Sequence, residues 1–349
     1  MREMEQKADE KRPAVSVVIP TMGRRILRMT LESLAAAEGF DGVEVWVAGH
    51  IPDAKMTEWL KAFCVAHRQV RHLDVSFSTG DSSRKKNAGA AAARSDLIAF
   101  LDDDVVVAPD WPRRITEAFA DEQVGLACGP SLIPDELNFS ARLAGLALSS
   151  PAAGYVAERY RQNRIEAYAV DWDRIIGCNA IYRRRAFEAM GGFPAEYYPG
   201  EEMIAAYRTE RAGWRLMFLP RAWVKHYPRS SLSRFWRQVW GYGATRIRLI
   251  RGGVSFHPLP LIPGLWVGVT LGLALGAFFS RWVLGLLALD LALYALLDAA
   301  ITLRMVLETR RASDWALALM IPFMHLSYGL AEWAEFFRPG RDFGEIHAP

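Results

Sequence analysis

The chain has 349 residues, a formal net charge of +3 at pH 7, and a composition that is 51% hydrophobic. This length is typical of one large or two medium domains, and the near-neutral charge argues against a general nucleic-acid-binding protein. Three cysteines lie far apart without the usual metal-ligand spacing, a pattern typical of a reduced compartment rather than of a disulfide framework. Residues 1–13 are mostly charged or polar, so we expect a disordered tail and no secretory signal.

Apolar runs alternate with helical patterns in the next part of the chain. Four runs have the length and composition of buried strands: 14–20, 43–48, 70–75 and 97–101. Three stretches between them have helical spacing: 25–37, 58–67 and 87–94. A polar, basic loop is expected at 78–86. Strands that alternate with helices predict βαβ units and a parallel sheet, and hence an α/β domain over residues 14–227.

The apolar run at 97–101 leads directly into Asp102, Asp103 and Asp104. Carboxylates at the C-terminal end of a buried strand lie where open α/β sheets bind ligands. Asp102 and Asp104 point to the same side of an extended chain. A hard divalent cation prefers such oxygen ligands and often binds phosphate oxygens as well. The sequence therefore predicts a metal site here, and a solvated acidic turn is the alternative.

The composition changes after residue 227. Residues 229–251 contain six arginines and four aromatic residues, and no acid interrupts them. A basic, aromatic, helical segment is typical of an element that lies on an anionic membrane surface. The alternative is a helix that packs on the protein through its aromatic side chains. We expect this interface segment to extend over residues 228–256.

Three apolar segments follow, at 259–280, 282–303 and 315–337, within a predicted transmembrane region at 257–337. The first two are predicted to span the membrane, and the third is either a further span or a re-entrant or interfacial helix. The loop between the second and third segments carries Arg304, Arg310 and Arg311. The positive-inside rule assigns this loop to the cytoplasm, and with it the α/β domain. The sequence thus predicts a multi-pass protein of the inner, cytoplasmic membrane with a C-terminal tail at 338–349.

Six motifs occur in an order that resembles glycosyltransferase family 2: Val-Val-Ile-Pro-Thr, Lys-Asn-Ala-Gly, Phe-Leu-Asp-Asp-Asp, Gly-Cys-Asn-Ala-Ile-Tyr-Arg-Arg, Gly-Glu-Glu and Val-Lys-His. The resemblance covers residues 14–227. It implies the GT-A fold, which is a Rossmann-like nucleotide-sugar-binding domain, and a transfer that inverts the anomeric centre. The motif at 237–243 and the apolar segments are similar to membrane-bound members that build exopolysaccharide on a lipid carrier, such as the succinoglycan-type glucosyltransferases.

The resemblance also implies roles for individual residues. Asp102 and Asp104 would hold Mg²⁺ or Mn²⁺ together with His226, and a surface histidine is the alternative for His226. The cation would bind the diphosphate of a nucleotide-sugar donor, with UDP as the expected nucleotide. The donor is expected to contact the following residues: Pro20, Thr21, Lys85, Lys86, Asn87, Asp102, Asp103 and Asn179. For the two lysines, a solvated basic loop is the alternative.

Glu201 and Glu202 match the acidic pair of the family, whose second member is the catalytic base. An inverting transfer needs a carboxylate that removes the proton of the acceptor hydroxyl as this group attacks the sugar. Glu202 is therefore the expected base and Glu201 a supporting contact. The alternative is a pair of acids that the dipole favours at a helix N-terminus.

These features predict the transfer of one sugar to a lipid-linked, polyprenyl-type acceptor at the cytoplasmic membrane face, in polysaccharide or glycoconjugate biosynthesis. Gln238 is followed by Val239 and Trp240, without the arginine of the Gln-x-x-Arg-Trp motif of processive synthases, so single addition is favoured. The alternatives are a polyprenyl-phosphate glycosyltransferase, a nucleotidyltransferase, and a non-catalytic membrane subunit of a polysaccharide exporter.

Overall fold

A computed structural model of the protein describes residues 12–79, 81–197, 199–228, 231–254 and 258–338. The strands have these bounds: β1 (Val15–Pro20), β2 (Val43–Ala48), β3 (Val70–Leu73), β4 (Leu97–Leu101), β5 (Val105–Val107), β6 (Val124–Cys128), β7 (Ser131–Leu132), β8 (Tyr168–Ala169), β9 (Asn179–Arg183), β10 (Arg215–Phe218) and β11 (Val224–His226). The α-helices have these bounds: α1 (Leu27–Ala35), α2 (Ala54–Ala66), α3 (Asp81–Ala92), α4 (Trp111–Ala118), α5 (Phe139–Ser149), α6 (Arg184–Ala189), α7 (Glu201–Arg211), α8 (Leu232–Arg251), α9 (Ile262–Gly276), α10 (Arg281–Thr309) and α11 (Leu317–Phe336). Nearly all of both predicted tails lies outside the described residues.

The chain divides into two compact units. The sheet unit contains the described residues of Met1–Leu132 and Gln162–His226, and the helical unit contains those of Ile133–Arg161 and Tyr227–Ala348. Residues 133–161, whose sequence shows no clear helix or strand pattern, contribute α5 to the helical unit. Each unit has its own buried side chains and is described separately.

The sheet unit is built on an eight-stranded sheet with the order β3-β2-β1-β4-β9-β6-β10-β8. Strands β1, β2, β3 and β4 are parallel to their neighbours among these four, as the alternating pattern predicts. Every residue of β4 and β6 is buried. Such strands have continuous apolar sequences because helices cover both faces of the sheet. A smaller sheet with the order β5-β11-β7 completes the unit.

The sheet is mixed, and this corrects the prediction of a wholly parallel one. Strand β9 runs antiparallel to both β4 and β6, with Asn179 opposite Leu101 and Arg183 opposite Leu97. The chain enters β9 beside the end of β4, because the backbone N–H of Asp102 donates to the carbonyl of Cys178 at 3.3 Å. The start of β9 and the acid cluster after β4 therefore lie at the same edge of the sheet.

The predicted loop at 78–86 is wrong from residue 81 onward, because α3 begins at Asp81. Asp81 lies in the first turn, where the helix dipole favours an acid, and its carboxylate pairs with Lys85 one turn later at 2.5 Å. Gly89 of this helix lies directly on β1, since a Cβ at this position would meet Cγ1 of Val18 at 2.3 Å. The close packing fixes α3 against the sheet and directs Lys86 toward the end of β4.

The helical unit has a buried cluster formed by side chains of α5, α8, α10 and α11, which includes Phe235, Val239 and Met320. Arg248 of α8 is buried and donates to both carboxylate oxygens of Glu335, at 2.9 and 3.1 Å. Arg246 is also buried and donates to the hydroxyl of Tyr155 at 3.1 Å. These two arginines of the predicted interface segment therefore contact other parts of the helical unit, and the position of the segment on a membrane surface stays a prediction.

Two helical segments are long and apolar enough to cross a membrane, namely Leu259–Gly276 and Arg281–Thr309. Few side chains in the most apolar part of either segment are buried within the protein, 11% in the first segment and 6% in the second. The predicted third span corresponds to α11, which is not one of these two candidates among the described residues. Its buried residues include Glu332 and Glu335.

Candidate active site

The three acids after β4 are buried or partly buried at the edge of the sheet. Arg24 forms an ion pair with Asp103 and contacts Oδ2 of Asp104 at 3.0 Å. His226, at the end of β11, contacts Oδ1 of Asp104 through Nε2 at 2.9 Å, and Oδ2 of Asp102 lies 3.9 Å from the same nitrogen. The three residues predicted to bind a metal therefore converge in the structure.

Burial and the neighbouring positive charges shift the pKa values of Asp104 and Asp102 in opposite net directions. Burial alone would raise the pKa of Asp104, but the hydrogen bond and charge of His226, together with Arg24, lower it to about 2. Burial raises the pKa of Asp102 to about 6, and the charges of Lys86 and His226 oppose this rise. The Asp104 carboxylate is therefore ionised at neutral pH. The negative charge of Asp102 is less fully compensated, so a bound cation would stabilise its ionised form further.

The carboxylate of Glu202 is held in a defined position in this site. Its carboxylate pairs with Lys86, whose side chain is 2% exposed and whose ammonium also lies 5.0 Å from the ring centroid of Phe193. A Cβ at Gly177 would meet Oε2 and Oε1 of Glu202 at 1.6 and 2.2 Å, so the carboxylate rests on the glycine backbone. Burial would lower the pKa of Lys86, but Glu202, Glu201 and Asp102 raise it, so the ammonium stays charged.

Glu201 points into a different environment although it adjoins Glu202 in the first turn of α7. Its side chain is buried, and Oε2 accepts a hydrogen bond from the backbone N–H of Gly200 at 3.1 Å. Burial, together with the charge of Glu202, raises the pKa of Glu201 to about 7. Gly200 precedes the helix with a φ of 124°, a conformation that glycine adopts without strain.

Several residues expected to contact the donor support the site from below. Pro20 ends β1, and the hydroxyl of Thr21 donates to Oδ2 of Asp103 at 2.7 Å. Lys85 is buried, and its ammonium donates to the carbonyl of Thr21 at 2.9 Å and pairs with Asp81. These contacts connect the end of β1 and helix α3 to the acid cluster. Contact of these residues with a nucleotide stays a prediction.

Two further candidates have amide groups that are already used within the protein. Asn87 donates to the carbonyl of Phe193 at 2.8 Å and accepts from its N–H at 2.9 Å. Asn179 is fully buried, accepts from the indole of Trp111 at 3.0 Å, and donates to the carbonyl of Ala222 at 2.8 Å. Both amides hold backbone segments that border the site, and their predicted contact with the donor stays a prediction.

The structure adds three residues that sequence reasoning did not assign to the site: Arg24, Gly177 and Cys178. Arg24 neutralises two acids, Gly177 provides the space for Glu202, and Cys178 lies beside His226 and Asp102. The one available signal was the position of Gly177 and Cys178 within a motif of the resemblance. Nothing in that motif shows which atoms they approach.

The potential metal-ligand atoms in this site suit a divalent cation. One ligand atom each from Asp102, Cys178 and His226 lies within 4.8 Å of the others, and Asp104 contacts the same histidine. Carboxylate oxygens are ligands for Mg²⁺ and Mn²⁺, and an imidazole nitrogen is a ligand for transition metals such as Mn²⁺. The three side chains approach one another from different elements, which suits a cation site, and metal binding stays a prediction. The residues present therefore suit the predicted metal.

Among known protein families, a model described as glycosyl transferase family 21 matches residues 1–337. The chain belongs to this family. The prediction of a glycosyltransferase is confirmed. The matching family model carries the number 21, whereas the motifs of the sequence resemble those of glycosyltransferase family 2.

This glycosyltransferase is similar to several proteins with different names. An O-antigen chain rhamnosyltransferase of Salmonella anatum is 26% identical over 52% of this chain and 61% of its own length. A pre-mycofactocin glycosyltransferase of Mycobacterium tuberculosis is 28% identical over 74% of this chain and 54% of its own length. A succinoglycan biosynthesis protein of Rhizobium meliloti is 26% identical over 46% of this chain and 47% of its own length. The matches thus span about half to three fifths of these relatives.

A solved structure supports the fold of this glycosyltransferase. A mannosyltransferase of Pyrobaculum calidifontis, in complex with GDP-Man and Mn²⁺, aligns with a TM-score of 0.57 and 17% sequence identity. The alignment covers 97% of this chain and 94% of the mannosyltransferase. The predicted GT-A fold is confirmed by this likeness and by the mixed α/β sheet.

Proposed function

We propose that this glycosyltransferase moves one sugar from a nucleotide-sugar donor to a hydroxyl of a lipid-linked acceptor and inverts the anomeric centre. One observation carries the proposal. Lys86 pairs with Glu202 and lies close enough to Asp102 for their charges to interact, so the expected base and the acid cluster share one site. The reaction needs the cation that holds the diphosphate and the base that takes the proton of the acceptor hydroxyl to lie close together, on either side of the reacting carbon.

Glu202 is the group that would accept the proton of the acceptor hydroxyl. About a third of its side chain is exposed, so an incoming hydroxyl can reach the carboxylate. Lys86 and Gly177 restrict its orientation, and a fixed base needs little rearrangement when the acceptor binds. Glu201 is less suited to this role because its side chain is buried and bonded to the backbone of Gly200.

Asp102, Asp104 and His226 would hold Mg²⁺ or Mn²⁺. When bound, the cation would stabilise the negative charge that develops on the leaving nucleoside diphosphate. Arg24 neutralises Asp103 and one side of Asp104, so that the acids can stay together in a buried position. We propose a UDP-sugar as the donor, in line with the sequence-based expectation.

We expect binding of a nucleoside diphosphate to depend on a divalent cation. Chelation should reduce the affinity about 10-fold or more, since the loss of outer-shell partners alone typically costs 10–100-fold in metal sites. Isothermal titration of UDP with Mn²⁺ and with chelator measures this difference. Asp104→Ala should bind UDP weakly in both conditions, and Asp96→Ala, which changes an exposed acid at the opposite end of β4, should behave as the unchanged protein. Equal affinity with and without the cation would contradict the proposal.

Features of the second half of the chain support the proposal of a lipid-linked acceptor. Two apolar helices suit a membrane, and Arg234 and Arg237 on α8 are exposed, which suits an anionic leaflet. The O-antigen and succinoglycan relatives act in the synthesis of polysaccharides. We propose that the enzyme works at the cytoplasmic face of the inner membrane.

Transfer of labelled sugar to a lipid extract tests the proposed reaction. Purified protein should transfer sugar from one member of a panel of UDP- and GDP-sugars, with Mn²⁺ or Mg²⁺, to a lipid pyrophosphate-linked saccharide. A product formed on polyprenyl phosphate itself would favour the polyprenyl-phosphate alternative. Absence of both transfer and donor hydrolysis with every donor would contradict the enzymatic proposal and favour an exporter subunit.

A further inference from the structure

The site contains a thiol that a purely oxygen-based metal site does not need. Cys178 directly precedes β9, its side chain is buried, and its sulfur takes part in hydrogen bonds with His226 and Ser131. Its ligand atom and those of Asp102 and His226 all lie within 4.8 Å of one another. These three residues come from the ends of β4 and β11 and from the start of β9, so the fold itself brings them together.

This combination differs in chemistry from a site for a hard cation. Mg²⁺ takes oxygen ligands almost exclusively, whereas Zn²⁺ and Co²⁺ accept thiolate sulfur and imidazole nitrogen together with carboxylate oxygen. A set of one cysteine, one histidine and one carboxylate leaves further coordination positions open, as in catalytic rather than structural zinc sites. The antiparallel start of β9 is what makes sulfur available at this edge.

We propose that Cys178 is a ligand of the divalent cation and gives this site a preference for thiophilic metals, Zn²⁺ and Co²⁺, over Mg²⁺. The thiol loses its proton to solvent as the metal–sulfur bond forms, and no redox change takes place. The inference shares Asp102 and His226 with the proposed function. It concerns metal binding alone and needs no sugar transfer.

Absorption spectroscopy of the Co²⁺-loaded protein tests the proposal without an activity measurement. The full chain in detergent, without nucleotide, should develop a thiolate-to-cobalt charge-transfer band in the near ultraviolet. Zn²⁺ should abolish the band by displacement, and an excess of Mg²⁺ should leave most of it. Cys178→Ser should lack the band and bind Zn²⁺ about 10-fold or more weakly in a competition titration, in line with the cost of disturbing a metal site.

Two control variants separate the site from other thiols. Cys64→Ser and Cys128→Ser should retain the band, since neither residue belongs to the cluster. A band that persists in Cys178→Ser, or no band in the unchanged protein, would overturn the inference. If the band appears but no donor is ever used, the proposed function fails and the metal inference stands. If transfer occurs without any band, the metal inference fails and the function stands.

Discussion

Glu202→Gln should lower turnover with the true acceptor by about 10²–10⁴-fold, the usual contribution of a general base. The amide keeps the shape of the side chain but does not accept the proton of the acceptor hydroxyl. Donor affinity should change little, because the proposed role of Glu202 is toward the acceptor hydroxyl and not toward the diphosphate. Steady-state kinetics with labelled donor, combined with calorimetry of UDP binding, measures both quantities.

Glu201→Gln is the matched control for this variant. Glu201 adjoins Glu202 in the same helical turn, but its side chain is buried and accepts a hydrogen bond from Gly200. Its replacement should therefore have a smaller effect on turnover. Near-normal turnover in Glu202→Gln, or an equal loss in both variants, would show that Glu202 is not the base. Acceptors that are already ionised, such as polyprenyl phosphate, need no strong base and would give the first of these results.

Gly177→Ala should lower turnover by roughly 10²-fold, the loss that a displacement of about 1 Å can cause at a reacting centre. A methyl group at this position would overlap both carboxylate oxygens of Glu202. The glutamate side chain can swing away, so the protein should still fold, but the base would leave its position beside Lys86. The kinetic signature is a fall in kcat with an almost unchanged UDP affinity.

Gly42→Ala provides the comparison for the same chemical change in the same unit. A Cβ there would meet Cβ of Ala14 at 3.8 Å, an ordinary contact, so turnover should stay normal. Thermal unfolding of both variants shows whether a loss of activity reflects a loss of structure. If Gly177→Ala were as active as Gly42→Ala, the position of the Glu202 carboxylate against Gly177 would have no role in the reaction.

The parts of the fold that depend on local patterns were predictable from the sequence. Strands β1, β2, β3 and β4 follow from short apolar runs, and the acid cluster lies at a strand end as the pattern indicates. The convergence of Asp102, Asp104 and His226 was accessible only through the resemblance. Composition and spacing give no reason for a histidine 122 positions after Asp104 to return to the same edge.

Other features depend on long-range packing that no local pattern reports. Lys86 and Glu202 are 116 positions apart, and their pairing exists because α3 packs closely on β1. The direction of β9 has the same origin, and it brings Gly177 and Cys178 into the site. Arg246 belongs to the basic segment that the sequence predicts to lie on a membrane surface. Tertiary contacts with Tyr155 place it inside the helical unit.

The anomeric configuration of the transferred sugar is the most direct test of the account. A base that activates the acceptor hydroxyl for direct attack opposite the leaving diphosphate inverts the reacting carbon. Proton NMR of the purified product, compared with the donor, measures this configuration through the coupling constant at the anomeric position. We predict the opposite configuration from that of the donor, and a product that retains the donor configuration would contradict the assignment of Glu202 as the base.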